Sequence, residues 1–185
     1  MSKIIYIPKI KRNDALPKPF YRYSFNNDDS EDSTYWFKNF FDTNDRQVVL
    51  YIENNSICDI VYRVQYNKNT KNSEVYIHNF QVPNILYRGK SFGTKVLKET
   101  EKRIINIKKK SEAKITRIMG FLSDKDFDYC TISMPMYLKF AKAVMGENIV
   151  CKINDEPIDT NSLVNIIQKH IDNKIAVNFE FCREN

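Results

Sequence analysis

The chain has 185 residues, 42% of them apolar and 13% aromatic, which is enough to close a core and too much for a disordered segment. Its formal charge of +6, from 29 basic against 23 acidic residues, permits an anionic partner without naming one. Cys58, Cys130, Cys151 and Cys182 form no C-x-x-C pair and His78 and His170 are the only histidines, so reduced thiols are expected rather than a zinc site or a disulfide framework. No run is long and apolar enough to cross a bilayer, and residues 1–10 lack the apolar core and small-residue cleavage site of a signal peptide. These features predict one cytosolic domain over residues 1–185, with no membrane partner and no metal, as a monomer or homodimer.

Pro8, Pro17 and Pro19 make long regular elements unfavourable at the start of the chain. Tyr21, Tyr23 and Phe25 alternate with polar residues as a short first strand. A polar, acidic stretch over 26–33 leads into Tyr35, Trp36, Phe37, Phe40 and Phe41, the order expected for a helix with acids at its head and an aromatic face behind. Runs over 47–53, 57–66 and 74–82, separated by Asn- and Ser-rich links, read as an antiparallel meander.

Next comes Arg88-Gly89-Lys90-Ser91-Phe92-Gly93. The chain has four glycines where average usage would give roughly thirteen, and two of the four fall in this hexapeptide. After it Phe92, Val96, Leu97, Thr100, Ile104 and Ile107 recur at helical spacing, which places the glycines at a strand-to-helix turn. The first N–H groups of a helix lack partners and carry partial positive charge, so a phosphate-bearing ligand suits this turn, as does an ordinary capped turn. Neither the nucleotide P-loop spacing nor G-x-G-x-x-G is present. Lys102, Arg103, Lys108, Lys109 and Lys110 lie late in the helix, where a solvated basic face is favoured over a nucleic-acid patch.

A strand over 114–122 and a loop carrying Asp124, Asp126 and Asp128 follow. A helix is expected to open at Ser133-Met134-Pro135 and stop at Gly146, then a strand over 149–153, a helix over 159–171 and a last strand over 174–181.

The glycine turn resembles the acyl-CoA pyrophosphate loop R/Q-x-x-G-x-G/A of the GNAT acetyltransferase superfamily, read here as Arg88, Ser91 and Gly93, with Ser91 in place of the middle glycine. The element order is similar to that family over about residues 18–182, with the helix near Asp159 as an addition. The resemblance implies an α+β fold with a mixed, mostly antiparallel sheet of about 6–7 strands flanked by helices. It also implies an N-acetyltransferase that uses acetyl-CoA to modify an amine acceptor, a small molecule or a protein. Arg88, Gly89, Lys90, Ser91, Phe92, Gly93 and Thr94, with main-chain groups of Phe80, Gln81 and Val82, would then hold the cofactor.

Acetyl transfer to an amine needs a base, stabilisation of an oxyanion, and a proton for the departing thiolate. Glu74, which resembles the strand-start glutamate of the histone acetyltransferase branch, is the first candidate base, and His78 on the same strand is the alternative. In Tyr137-Leu138-Lys139-Phe140-Ala141-Lys142, alanine stands where the family's helix carries its tyrosine, and Tyr137, one helical turn earlier, is the candidate acid. A catalytically silent acyl-CoA-binding module is the second reading, and a nucleic-acid-binding protein the third.

Overall fold

The computed structural model describes residues 20–25, 45–52, 55–122 and 130–183. Its runs of β-branched and aromatic residues form strands β1 (Phe20–Phe25), β2 (Asp45–Ile52), β3 (Asn55–Asn67) and β4 (Asn72–Gln81). Helix α1 (Phe92–Ser111) leads into β5 (Lys114–Leu122) and helix α2 (Cys130–Met145). Strands β6 (Ile149–Ile153) and β7 (Glu156–Ile158), helix α3 (Leu163–Asp172) and strand β8 (Val177–Arg183) complete the order. The strands make one sheet in the order β1-β2-β3-β4-β5-β8-β6-β7. Every neighbouring pair is antiparallel except β4 and β5, which α1 joins as a parallel crossover.

The sheet has eight strands instead of six or seven. The addition is β7, which pairs back on β6 through Asn154 and Asp155, with φ 50° and 70°, the two consecutive positive values of a tight hairpin turn. Strand β8 starts at Val177 and not at 174, because Lys174 has φ 55° and donates its N–H to Ile171 O in closing α3. Helix α2 starts at Cys130, ahead of the expected Ser133, so Pro135 lies inside it and removes one backbone hydrogen bond near its first turn. The helix expected over 35–41 and the aspartates at 124, 126 and 128 lie outside the described residues.

One face of the sheet carries the core. Val75 and Ile77 of β4, Ile118 and Leu122 of β5, and Phe179 and Phe181 of β8 all point toward the helices. Against them α1 presents Phe92, Val96, Leu97 and Ile104, α2 presents Met134, Tyr137, Phe140 and Val144, and α3 presents Leu163 and Ile167. Ala141 is fully buried in this layer. On the opposite face Arg117 of β5 pairs with Glu180 of β8, which also takes Lys152 of β6 at 3.3 Å, and Arg117 lies 3.8 Å from Glu74 of β4. No described helix is long and apolar enough to cross a membrane.

Two irregularities in β4 prepare the site. Tyr62 pairs with Ile77 while Val61 pairs with Asn79, so His78 is an extra residue, and this bulge keeps Ile77 and Phe80 on the same core-facing side. The parallel ladder with β5 ends at Ile77–Gly120, although β4 continues to Gln81 and β5 to Leu122. Strand β5 stays with β8 as far as Leu122–Val177, so a wedge opens between β4 and β5.

Candidate active site

The wedge leads into a cleft of about 560 Å³, within the range of small-molecule sites. One wall is β4 from Ile77 to Gln81 with Val82 just beyond it, and the facing wall is Phe121 and Leu122 of β5 with Ile132, Ser133, Met136 and Tyr137 of α2. Its floor is the turn Tyr87, Arg88, Gly89 and the head of α1, Ser91 to Thr94. A second cleft of about 390 Å³ meets the wedge and has Tyr76, Arg117, Asp155 and Glu180 in its wall. Ile77, His78 and Phe121 line both clefts, so the parted strands join them.

The turn into α1 carries two left-handed residues, Gly89 with φ 72° and Ser91 with φ 62°. Ser91 O accepts from Lys95 N at 3.1 Å, the first bond of the helical ladder, and the Ser91 side chain makes no capping hydrogen bond. The N–H groups of Phe92, Gly93 and Thr94 precede that ladder. A Cβ on Gly89 would meet no atom within 4 Å.

Gly93 answers a different demand. A Cβ there would sit 2.9 Å from Phe80 Cζ and 3.2 Å from Met136 Cε, so this glycine lets the helix head pack on β4 and α2. Arg88 ties the turn back to the residue just past β4, its Nε donating to Val82 O at 3.0 Å, and within the turn Leu86 N donates to Asn84 Oδ1 at 2.9 Å. Tyr87 is buried and meets Phe92 edge-on at 5.9 Å.

Of the residues expected to bind the cofactor, Phe80, Gln81, Val82, Arg88, Gly89, Ser91, Phe92, Gly93 and Thr94 line the cleft. Lys90 does not; it is exposed, with Nζ 6.0 Å from the Tyr87 ring centroid. Tyr137 lines the cleft, stacked on Phe179 at 4.8 Å and edge-on to Phe80 at 5.6 Å. His78 lines it as well, with Nε2 3.2 Å from Asp45 Oδ1. Glu74 lines neither cleft: it lies near the start of β4, takes the Tyr76 hydroxyl at 3.4 Å and faces Arg117. The α2 wall, Ile132, Ser133 and Met136, was missed by sequence reasoning, though its spacing with Tyr137 traces one helical face.

Behind the β4 wall lies a buried carboxylate. Asp59 of β3 is 6% exposed, and its Oδ2 accepts from Asn79 Nδ2 at 3.3 Å and Gln47 Nε2 at 3.4 Å. Burial pushes its pKa above the usual carboxylate value, against the lowering effect of bonds from Gln81, Gln47 and Asn79. A carboxyl raised in the folded state favours folding while protonated. Its contribution is therefore fullest below about pH 4 and is lost as pH rises toward the folded pKa. Asp59→Asn, which keeps an acceptor for the amides, is expected to raise the neutral-pH melting temperature and flatten its dependence above pH 4. Melting curves from pH 4 to 8 check this, and a variant that melts lower at pH 7 contradicts it.

No protein-family model matches the sequence, and no curated protein does. Among solved structures the chain is similar to Arabidopsis thaliana Naa50 in complex with the bisubstrate analogue CoA-Ac-MVNAL, at 17% identity and a TM-score of 0.43, over 72% of this chain and 70% of that one. It is also similar to an aminoglycoside acetyltransferase from an uncultured soil metagenomic sample, in complex with trehalose, at 13% identity and a TM-score of 0.44, over 66% and 86% of the two chains. A third, from Bacillus anthracis, is assigned as a streptothricin acetyltransferase and holds acetyl coenzyme A; it has 11% identity and a TM-score of 0.42 over 92% of each chain. The chain itself is an α+β fold with one mixed, mostly antiparallel sheet in which β4 and β5 part beyond Ile77–Gly120. The uncapped helix head closes one end of the cleft, and His78 stands where the two clefts meet.

Proposed function

We propose that this chain is a GNAT-type N-acetyltransferase that moves the acetyl group of acetyl-CoA directly to an amine. The observation that carries this reading is the strand gap beyond Ile77–Gly120, opening onto an uncapped helix head. A diphosphate fits the N–H groups at Ser91 to Thr94, with Gly89 leaving room for it and the Arg88 turn as its border. A narrow amide-bearing arm fits beside β4 at Phe80 to Val82, where no β5 rung occupies the strand edge. Bound acetyl-CoA supplies an activated carbonyl and a thiolate leaving group.

The chain's own groups supply the rest. His78, which lines both clefts, takes the proton from the amine, and the hydroxyl of Tyr137, which lines the first, protonates the departing sulfur. Glu74, engaged with Arg117 and outside both clefts, has no part in the transfer. Direct transfer is favoured over an acyl-cysteine route through Cys58, Cys151 or Cys182, because burial pushes all three thiols up and none of them lines the cleft.

Calorimetric titration with acetyl-CoA is expected to give micromolar binding, and no heat at millimolar ligand would end the proposal. The silent-module reading is favoured by one observation, the tight packing of Tyr137, which is 5% exposed. Thiol release measured over a panel of primary amines separates the two: turnover with any amine excludes the silent module, and binding without turnover across the panel favours it.

A further inference from the structure

Strand β2 sets a carboxylate against His78 from two strands away. Asp45 is 1% exposed, and its Oδ1 accepts from Arg63 Nε of β3 at 2.9 Å while lying 3.2 Å from His78 Nε2. A carboxylate buried so deeply costs several kcal/mol unless it is paired, and Arg63 provides that pairing. The contact with His78 occurs where β4 carries its extra residue, and bulges of this kind re-aim a side chain.

We propose that Asp45 is a positioning residue that fixes the His78 ring with its proton on Nε2, so that Nδ1 is the atom that takes the proton from the acceptor amine. This rests on the reading of His78 as the base. A neutral imidazole carries one proton, and a carboxylate beside Nε2 accepts from that nitrogen and puts the lone pair on Nδ1. In the transfer, the amine proton passes to Nδ1, the nitrogen pair forms the C–N bond, and the C–S pair leaves with sulfur. Asp45 then faces an imidazolium, which its charge stabilises.

The other charged and titratable groups near the ring have opposed effects. Arg63 from β3 disfavours the imidazolium, and Tyr76 of β4 stacks on it at 6.4 Å between centroids. Across the second cleft Arg117 of β5 and Glu180 of β8 are paired with each other, and Asp155 stands in the β6–β7 turn.

The test uses the full chain labelled with 15N-histidine, which gives only two ring systems, His78 and His170. His170 is an internal contrast: its Nδ1 lies 2.8 Å from Ile166 O, a carbonyl that only accepts, so in that ring Nδ1 carries the proton. His78 is expected to show a protonated Nε2 and an unprotonated Nδ1, with a titration midpoint that falls by about one unit or more in Asp45→Asn. A His78 protonated on Nδ1, or an unmoved midpoint, would overturn the proposal. If Asp45→Asn does not fold, the tautomer of the unaltered chain decides alone. Acetyl-CoA binding is titrated on the same samples, so a failure of the acetyltransferase reading is seen separately from the ring's protonation.

Discussion

Ser91→Asp is expected to weaken acetyl-CoA binding by about 30- to 140-fold without lowering the melting temperature. Ser91 is exposed, with φ 62° and ψ 13°, a left-handed conformation that aspartate adopts readily. A carboxylate at the head of a helix interacts favourably with the helix dipole, so the fold has no reason to suffer. The same carboxylate stands against a bound diphosphate. Two like charges about 4 Å apart near a protein surface repel by about 4 kcal/mol, and screening leaves roughly 2–3 kcal/mol, which converts to the stated loss at about 1.4 kcal/mol per decade. Ser91→Ala, which adds no charge, should change affinity only a few-fold. Gly93→Asp is a poorer probe, because its side chain would strike Phe80 and Met136 and disturb the fold. Unchanged affinity in Ser91→Asp, measured by calorimetry, would place the anion site elsewhere.

The second large effect is on stability, at the last rung before the strands part. Gly120 pairs with Ile77 on one side and Phe179 on the other. A Cβ at this position would lie 2.5 Å from Phe179 Cζ and 3.1 Å from Ile77 O. The ring cannot easily give way, being 2% exposed, stacked on Tyr137 and tilted against Phe181. Gly120→Ala is therefore expected to cost about 2–3 kcal/mol, in the upper part of the range for overpacked cores, and to lower the melting temperature by roughly 4–12 °C. Phe179→Leu in the same chain should recover much of that loss, as coupled neighbours do. If Gly120→Ala melts like the unaltered chain, the aromatic stack below the wedge is looser than its packing indicates. Because that stack includes Tyr137, the variant should also weaken acetyl-CoA binding.

Much of this was written locally. The strands at 114–122 and 149–153 fall where their alternating residues place them, and the turn at Arg88–Gly93 joins β4 to α1 as its glycines and the helical spacing after them require. Such features depend on backbone preference and side-chain period over a few consecutive residues, which a single chain displays directly. Even the missed β7 had a local signal, the turn-forming pair Asn154-Asp155.

Tertiary structure decided the chemistry. Glu74 and His78 share a strand, and nothing within that strand separates a glutamate drawn to Arg117, 43 positions further on in the chain numbering, from a histidine that a bulge sets between two clefts. The wedge exists because β5 follows β8 instead of β4 past Gly120, a choice made between strands far apart in sequence. Asp45 and Gly93 likewise take their meaning from partners in other elements, His78 and Arg63 for the first, Phe80 and Met136 for the second. Periodicity records which residues want to be buried; which of them meet is settled only when register, bulge and crossover bring distant parts of the chain together.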